Sequence, residues 1–99
     1  MPPASPEQGI AHWSIRVTGR VQGVFFRAAA AEQGRALGLT GEARNMPNGA
    51  VQIEVEGPAA GLERFRQWCL HGPSNAEVSD VEVAEGEMRN YPPGSFERR

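Results

Sequence analysis

Apolar and polar residues alternate along several short stretches of the chain, which is the pattern of half-buried β-strands. The apolar positions of the two clearest stretches are Trp13, Ile15 and Val17, then Val51, Ile53 and Val55, and Val78, Val81 and Val83 indicate a last strand. The first strand is predicted to end near Thr18. The turn signal Pro47-Asn48-Gly49 makes the second strand one arm of a hairpin with Gly41–Asn45. Glu54 and Glu56 then predict a solvent-exposed face for that hairpin.

Two helices are predicted between these strands. The first covers Phe26–Leu37, because it is rich in alanine and has a helical repeat of residues facing one side, and Gly38 ends it in the left-handed conformation. The repeat consists of Phe26, Ala30, Gln33 and Leu37. The second helix begins at Gly57-Pro58, since proline is tolerated where the first N–H is unpaired, and it ends before Gly72-Pro73. Its predicted apolar side consists of Leu62, Phe65 and Cys69.

The order of these elements is β-α-β-β-α-β, which predicts an α+β fold of the ferredoxin-like split arrangement. In this arrangement an antiparallel sheet carries both helices on one face, and each β-α-β crossover is right-handed. Residues 1–9 contain three prolines among polar residues and predict a disordered tail. Residues 10–99 are then expected to form a single domain with a modest core.

The charge balance limits the partners of the chain. The 99 residues include 10 basic residues, all of them arginine, and 12 acidic residues, for a net charge of −2. The arginines are scattered, so no nucleic-acid surface is expected. No stretch approaches the about 20 apolar residues that span a bilayer, and residues 1–9 lack the features of a secretory signal, so no membrane partner is expected. The single cysteine agrees with a reducing compartment. We expect a cytoplasmic monomer.

The segment between the first strand and the first helix, residues 19–25, has the composition of an anion-binding loop, and we call it the glycine loop. Gly19 and Gly23 allow backbone angles that a side chain forbids, so successive N–H groups can turn toward one point. The amides that would contribute belong to Arg20, Val21, Gln22, Gly23, Val24 and Phe25. The positive end of the following helix favours an anion there. Arg27 adds a planar fork of donors suited to two phosphate oxygens.

A plain structural alternative stays open for the glycine loop. A Gly-x-x-x-Gly segment before a helix is often only a tight strand-to-helix turn, and Arg27 could be an ordinary solvated helix residue. The absence of lysine excludes the lysine-dependent P-loop, whereas a loop that relies on backbone amides and one arginine remains possible. The residues alone therefore leave a phosphate site and a structural turn equally open.

Three motifs together resemble the acylphosphatase family. They are Gly19–Arg27, Leu37–Gly41 and Arg44–Gly49, and the resemblance spans roughly Trp13 to Val83. It implies a small ferredoxin-like enzyme that hydrolyses the carboxyl-phosphate bond of acyl phosphates to carboxylate and phosphate, without a metal or cofactor. It also implies that Arg27 binds the phosphate, that Asn45 positions the attacking water, and that inorganic phosphate or sulfate binds in the same site.

The implied reaction requires little acid–base chemistry from the protein. The leaving group is a carboxylate, which departs without being protonated, so the protein must hold the phosphoryl group, stabilise its developing charge and place one water in line. Asn45 suits the water, because an amide both accepts and donates hydrogen bonds. It cannot act as a base, and the resemblance implies that a phosphate oxygen of the substrate takes the proton. Asn45 is also compatible with a simple role in the turn before Pro47.

Other chemically capable side chains give weaker predictions. Cys69 falls on the apolar side of the second helix and is expected to pack rather than to act as a nucleophile. His12 and His71 belong to no cluster with metal-ligand spacing and are expected to be solvated or partly packed. Asp80 is the only aspartate, and no carboxylate pair for a metal is evident.

The sequence departs from the family pattern in three places. Glu42-Ala43 stands where a bulky apolar residue followed by valine is frequent, and Met46 replaces a commoner small polar residue or leucine. These changes are expected to affect packing more than chemistry. The last segment, Ser95–Arg99, resembles the family's final edge strand but lacks an apolar residue two positions after Phe96, so the pattern leaves that strand in doubt.

Three other functions are compatible with the same fold. The main alternative is a non-catalytic or carbamoyl-phosphate-directed binding module, like the acylphosphatase-like domain at the start of carbamoyl-transferring hydrogenase-maturation proteins, although those carry zinc modules downstream. A ferredoxin-like RNA-binding domain would need exposed aromatic residues and a basic surface. A metal-transfer domain would need a Cys-x-x-Cys loop. The sequence has neither a basic surface nor a second cysteine, so acyl phosphate hydrolysis is the predicted function.

Overall fold

The predicted order of helices and strands is present in the computed structural model, which describes residues 9–99. The elements are β1 (Ile10–Arg20), α1 (Phe26–Ala36), β2 (Thr40–Asn45), β3 (Val51–Pro58), α2 (Ala59–Cys69), β4 (Glu77–Gly86) and β5 (Phe96–Arg98). Apart from Gly9, the tail predicted for residues 1–9 lies outside the described residues. The fold is ferredoxin-like, with two helices packed on a five-stranded sheet.

The strands form one sheet in the order β4-β1-β3-β2-β5. The four longer strands pair antiparallel, whereas β5 runs parallel to β2. The predicted antiparallel sheet is confirmed for these four strands, and the fifth strand, which the sequence left in doubt, makes the sheet mixed at this edge. Between β1 and β3, Ile15 lies opposite Ile53 and Val17 lies opposite Val51. These apolar side chains share the face that the helices cover.

The hydrophobic core lies between the sheet and the two helices. Leu62, Phe65 and Cys69 are fully buried, which confirms the predicted apolar side of α2. The buried side of α1 differs from the prediction, because Gln33 is only half-buried and Gly34 is buried instead. The reason is that α1 packs over β2 and β5, which turns the Gly34 side of the helix toward the sheet.

The doubtful last strand forms because one aromatic ring anchors it. Phe96 is 1% exposed, and its ring centroid lies 5.8 Å from that of Phe65. The ring packs so closely on α1 that a Cβ at Gly34 would lie 2.2 Å from it. A glycine within a helix costs up to about 1 kcal/mol relative to alanine, so its presence usually has a packing reason. Gly34 was therefore the feature of the sequence that indicated β5. The strand forms without an apolar residue at position 98, because Phe96 anchors it.

One end of the outer face of the β1–β3 pair is buried, whereas the sequence predicted that it is exposed to solvent. His12, Glu54 and Glu56 are 2%, 5% and 3% exposed, because the segment before β5 covers them. The imidazole Nδ1 lies 2.7 Å from a Glu56 oxygen, and Nε2 lies 2.6 Å from a Glu54 oxygen. Glu56 also accepts hydrogen bonds from the main-chain amides of Arg89 and Asn90. The expectation that His12 is solvated or partly packed, and that both glutamates face water, is wrong for all three residues.

The hydrogen bonds of this network keep both carboxyl groups ionised. Burial of Glu54 raises its pKa, but the hydrogen bonds that it accepts outweigh burial and hold the pKa below the ordinary value of 4.5. The donors are Ser14, His12 and Gln52, with a further contribution from the charge of Arg89. Burial of Glu56 likewise raises its pKa, and hydrogen bonds from Arg89, His12 and Tyr91 outweigh it. Two buried carboxylates are thus stabilised on the side of the sheet opposite the helices.

Candidate active site

The glycine loop has the positive φ angles that its glycines predict, although β1 extends beyond the predicted end near Thr18 and includes Gly19 and Arg20. Gly19 has φ 121° and Gly23 has φ 76°, angles that disfavour any residue with a side chain. The pairing of β1 with β4 shifts register between Thr18 and Gly19. At this shift the two backbones approach so closely that a Cβ at Gly19 would lie 2.2 Å from the carbonyl oxygen of Glu77. Gly19 is therefore required both by its φ angle and by the neighbouring strand.

The end of the glycine loop leaves main-chain amides available to an anion. Phe25 is the N-cap residue of α1, its side chain makes no capping hydrogen bond, and the first turn holds no acidic residue. Within residues 9–99, the amides of Gln22 to Phe25 donate to no main-chain acceptor outside the regular elements and to no side chain. Helix N-termini in this state attract anions, because the unpaired N–H groups carry partial positive charge.

A cavity of about 190 Å³ lies at this helix end and joins the two predicted catalytic side chains. Its lining consists of Val21, Gly23, Phe25, Phe26, Arg27, Ala28, Asn45 and Arg98. Arg27 and Asn45 lie 18 positions apart in sequence and come together because β2 ends beside the loop. Among the other loop residues predicted to contribute amides, Arg20, Gln22 and Val24 are not part of this lining.

The guanidinium of Arg27 is held by the main chain of the last residue. Its Nη1 donates to the main-chain oxygen of Arg99 at 2.5 Å. The amide of Arg99 in turn donates to the carbonyl oxygen of Ala43 on β2 at 2.7 Å, and its side chain pairs with Glu42. One N–H of Arg27 is thus used for orientation, and the guanidinium has four others that can serve an anion. Glu42, a departure from the family pattern, contributes to this support.

The hairpin turn that follows Asn45 is closed without the side chain of Asn45. The turn is closed by Met46, whose amide donates to the carbonyl oxygen of Ala50 at 2.8 Å, and by Asn48, whose side-chain oxygen accepts from the amide of Ala50 at 3.0 Å. Asn45 is exposed, and no hydrogen bond of its side chain occurs within residues 9–99. Its amide group is therefore available at the cavity, which weakens the alternative of a simple turn residue.

The side chain of Gln22 has a role that the sequence analysis did not find. Its Nε2 donates to the carbonyl oxygens of Met46, at 2.8 Å, and Ala50, at 2.9 Å. Gln22 thereby connects the glycine loop to the hairpin that carries Asn45. A side-chain amide inside an otherwise apolar part of the loop was the available signal, because such a group must find partners when it is half-buried.

Arg98 is a second cavity residue that the sequence analysis missed, because its strand was in doubt. The residues judged unsuited to catalysis lie elsewhere. Cys69 is fully buried, and burial raises the pKa of its thiol to about 12, so it stays protonated at neutral pH. His71 and Asp80 are exposed, as expected for His71. Within residues 9–99 no group of three His, Cys, Asp or Glu side chains has a geometry that could hold a metal ion.

Known proteins with similar sequences are acylphosphatases. The family model described as Acylphosphatase matches residues 13–97. The chain is 52% identical over 69 residues to an acylphosphatase from Anaeromyxobacter dehalogenans, covering 70% of this chain and 74% of the relative. It is 43% identical over 76 residues to an acylphosphatase from Marinobacter nauticus, covering 77% of this chain and 83% of the relative. These similarities extend well beyond the two motifs at the cavity.

Comparison with solved structures also finds an acylphosphatase. The structure of an acylphosphatase from Coxiella burnetii superposes with a TM-score of 0.87 at 30% identity and covers 98% of this chain and 100% of its own. The sequence match, the structural match and the cavity between the glycine loop and Asn45 favour an enzyme over the alternative of a binding module. The chain therefore belongs to the acylphosphatase family and is an acylphosphate phosphohydrolase, which cleaves acyl phosphates into carboxylate and phosphate.

Proposed function

We propose that the phosphoryl group of the acyl phosphate binds in the cavity at the N-terminus of α1 and that Arg27 and Asn45 are the catalytic residues. The observation that carries this proposal is that Arg27, Asn45 and part of the glycine loop line one cavity. The proposed phosphate-binding amides are those of residues 20–25. Inorganic phosphate, as the product, and sulfate would occupy the same place because they share its tetrahedral oxyanion.

In this proposal the glycine loop and Arg27 neutralise the phosphoryl group as its negative charge redistributes. Main-chain amides and a guanidinium held in place beforehand need little reorganisation during the reaction, and such preorganised donors account for much of enzymatic rate enhancement. Asn45 holds one water in line with the bond that breaks. The P–O bond to the carboxylate breaks as the bond from water to phosphorus forms, and a phosphate oxygen accepts the proton of the water. The carboxylate leaves without protonation, so we propose that the reaction needs no metal ion.

Kinetics on two single variants tests these roles. Arg27→Ala is expected to lose turnover by at least about 10²-fold and also to bind inorganic phosphate more weakly, because Arg27 contacts the phosphoryl group before and during the reaction. Asn45→Ala is expected to lose about 10²–10³-fold in kcat with an unchanged inhibition constant for phosphate, since Asn45 contacts only the water. Hydrolysis of benzoyl phosphate with and without a chelator tests the absence of a metal requirement.

Matched controls are available in the same chain. Arg64→Ala and Asn75→Ala remove the same side chains from exposed positions outside the cavity lining and should leave kcat unchanged. Circular dichroism confirms that each variant is folded. Near-normal turnover in folded Asn45→Ala would remove the water-positioning role, and normal phosphate inhibition of Arg27→Ala would place the phosphoryl group elsewhere.

We also propose that the enzyme works in the cytoplasm as a monomer on small-molecule substrates, with no nucleic-acid or membrane partner. The net charge of −2 and the dispersed arginines support the absence of a nucleic-acid partner. Within residues 9–99 no helix is both long enough and apolar enough to cross a membrane. Light scattering after size-exclusion chromatography measures the oligomeric state, and fractionation of cells followed by activity assay measures the location.

A further inference from the structure

An aromatic ring stands exposed at the edge of the cavity. Phe25 is 79% exposed, more than the other large apolar side chains that reach the surface of the described residues, of which Ile10 at 52% is the next. The neighbouring Phe26 is 1% exposed, and its ring centroid lies 5.3 Å from that of Trp68. The two neighbouring phenylalanines therefore differ in role. Phe26 anchors the loop in the core, whereas the packing of the protein does not explain an aromatic residue at position 25.

The backbone at Phe25 is in a conformation that a bulky residue rarely adopts. Its φ of 62° and ψ of 25° lie in the left-handed region, which glycine and asparagine adopt more readily than other residues. The residue lines the cavity, and its side chain is exposed rather than buried in the core. A strained, exposed and unpacked aromatic residue beside a cavity indicates a role in binding.

The size of the cavity shows which part of the substrate is left outside it. Its volume of about 190 Å³ is below the about 300–1,000 Å³ of pockets that enclose drug-sized ligands. A phosphoryl group and one water can be accommodated beside Arg27 and Asn45, but a bulky acyl group must extend past the edge. The apolar side chains longer than alanine on the cavity lining are Val21, Phe25 and Phe26, and of these only Phe25 is exposed to solvent.

We propose that Phe25 is the specificity-determining residue for the acyl group and that its ring packs against aromatic or other bulky apolar acyl groups. This inference rests on the proposed binding of the phosphoryl group at Arg27 and the glycine loop. Contact between two aromatic rings stabilises a complex beyond the removal of apolar area from water. The enzyme consequently favours aroyl phosphates over acetyl phosphate by more than their intrinsic reactivities explain.

Two variants at one position test this proposal. Phe25→Ala removes the ring but keeps a Cβ, so the backbone retains the same restriction on φ. The value of kcat/KM for benzoyl phosphate should fall about 3- to 10-fold, the range that an aromatic pair implies. The value for acetyl phosphate and the inhibition constant for inorganic phosphate should change less than that, because the variant keeps the main-chain amide of Phe25 that is proposed to bind the phosphoryl group. Phe25→Tyr restores the ring and should restore the ratio of the two substrates.

Ile10→Ala is the matched control, because it shortens another exposed apolar side chain, at the opposite end of β1 from the glycine loop. An unchanged ratio of benzoyl phosphate to acetyl phosphate in folded Phe25→Ala would overturn the proposal. Equal losses with both substrates together with weaker phosphate inhibition would also overturn it, since Phe25 would then support the loop rather than contact the acyl group. Failure of the underlying phosphoryl site is distinguishable, because it appears as normal activity or phosphate inhibition in Arg27→Ala.

Discussion

The side-chain amide of Gln22 donates to the carbonyl oxygen of Met46 at 2.8 Å, and this hydrogen bond joins the loop at the start of α1 to the residue that follows Asn45. The two proposed halves of the active site, the anion-binding amides and the water-positioning amide, are thus connected by one side chain. Their relative position then depends on more than the packing of the strands that carry them.

Gln22→Met keeps the length of the side chain and removes both of its hydrogen bonds. We expect kcat to fall about 10- to 100-fold, because small displacements of reacting groups are costly, with a smaller effect on the inhibition constant for phosphate. Stability should fall by only about 1 kcal/mol, since the carbonyl oxygens of Met46 and Ala50 each keep a main-chain donor. Steady-state kinetics and urea unfolding measure the two effects.

Gln67→Met is the control for that substitution, because Gln67 is exposed on α2 and its side chain donates only to Glu63 at 2.9 Å within the described residues. It should leave kcat unchanged. A Gln22→Met enzyme with wild-type kcat would show that the hydrogen bond to Met46 does not position Asn45.

Phosphate should stabilise the folded protein against heat. A ligand at ten times its dissociation constant adds about 1.4 kcal/mol to the free energy of unfolding, which raises the melting temperature of a domain of this size by several degrees. Sulfate should act similarly, but both anions also stabilise proteins in general. The specific part is therefore the increase that disappears in Arg27→Ala, compared with chloride at equal ionic strength. An equal increase in wild type and Arg27→Ala would argue against a phosphate site at Arg27.

Gly34→Ala tests the packing that holds β5 beside the active site. The added Cβ would lie 2.2 Å from the ring of Phe96, so the ring and β5 must move, at an expected cost of about 1–3 kcal/mol in unfolding free energy. Because the main chain of Arg99 follows β5 and orients Arg27, phosphate inhibition should weaken as well. Melting curves and inhibition kinetics measure the two effects.

A second helical glycine is the control for Gly34→Ala. A Cβ at Gly61 in α2 would lie 3.0 Å from the end of the Leu39 side chain and 3.5 Å from the main-chain oxygen of Leu37, so a shift of a few tenths of an ångström accommodates it. Gly61→Ala should therefore be neutral or stabilising, because alanine favours helix. If Gly34→Ala behaved like Gly61→Ala in stability and phosphate binding, the proposed anchoring of β5 by Phe96 would be wrong.

The buried carboxylates of Glu54 and Glu56 predict how the free energy of unfolding depends on pH. Glu54 and Glu56 have pKa values below their ordinary value of 4.5 in the folded state, so the unfolded chain binds protons more readily than the folded one. Their contribution to stability is complete above that ordinary value and is lost as the pH falls through the lowered values. Urea unfolding between pH 7 and pH 3 should show this loss, at up to about 1.4 kcal/mol per pH unit for each carboxyl group.

Glu56→Gln separates this network from the other acidic groups. The variant should be less stable than wild type at pH 7, because His12 loses a charged partner and the amide nitrogen of Gln replaces one of the two oxygens that accept the main-chain hydrogen bonds from Arg89 and Asn90. Its stability should fall less steeply with acid. Glu87→Gln, at an exposed position of the same covering segment, should keep the wild-type dependence. Parallel acid dependences for wild type and Glu56→Gln would exclude Glu56 as a source of the effect.

The sequence by itself determined the features that depend on neighbouring residues. Alternation along β1 and β3 fixed which side chains face the helices, and the glycines at positions 19, 23 and 38 fixed backbone angles that other residues avoid. The motifs that resemble acylphosphatases also predicted Arg27 and Asn45 as site residues, and both line one cavity in the fold. The backbone conformation of a short segment depends mainly on the residues of that segment, so these predictions needed no knowledge of distant contacts.

Tertiary structure alone decided the features that depend on residues far apart in the chain. His12 and Glu56 are 44 positions apart, and an alternating pattern that predicts an exposed face cannot reveal that a later segment covers it. Phe96 needs the space above Gly34 before a three-residue strand can form, and Gln22 needs carbonyl oxygens of a separate hairpin. In each case the partner is supplied by the packing of the sheet and helices, because a buried polar group or ring is stabilised only when its complement arrives from elsewhere in the fold.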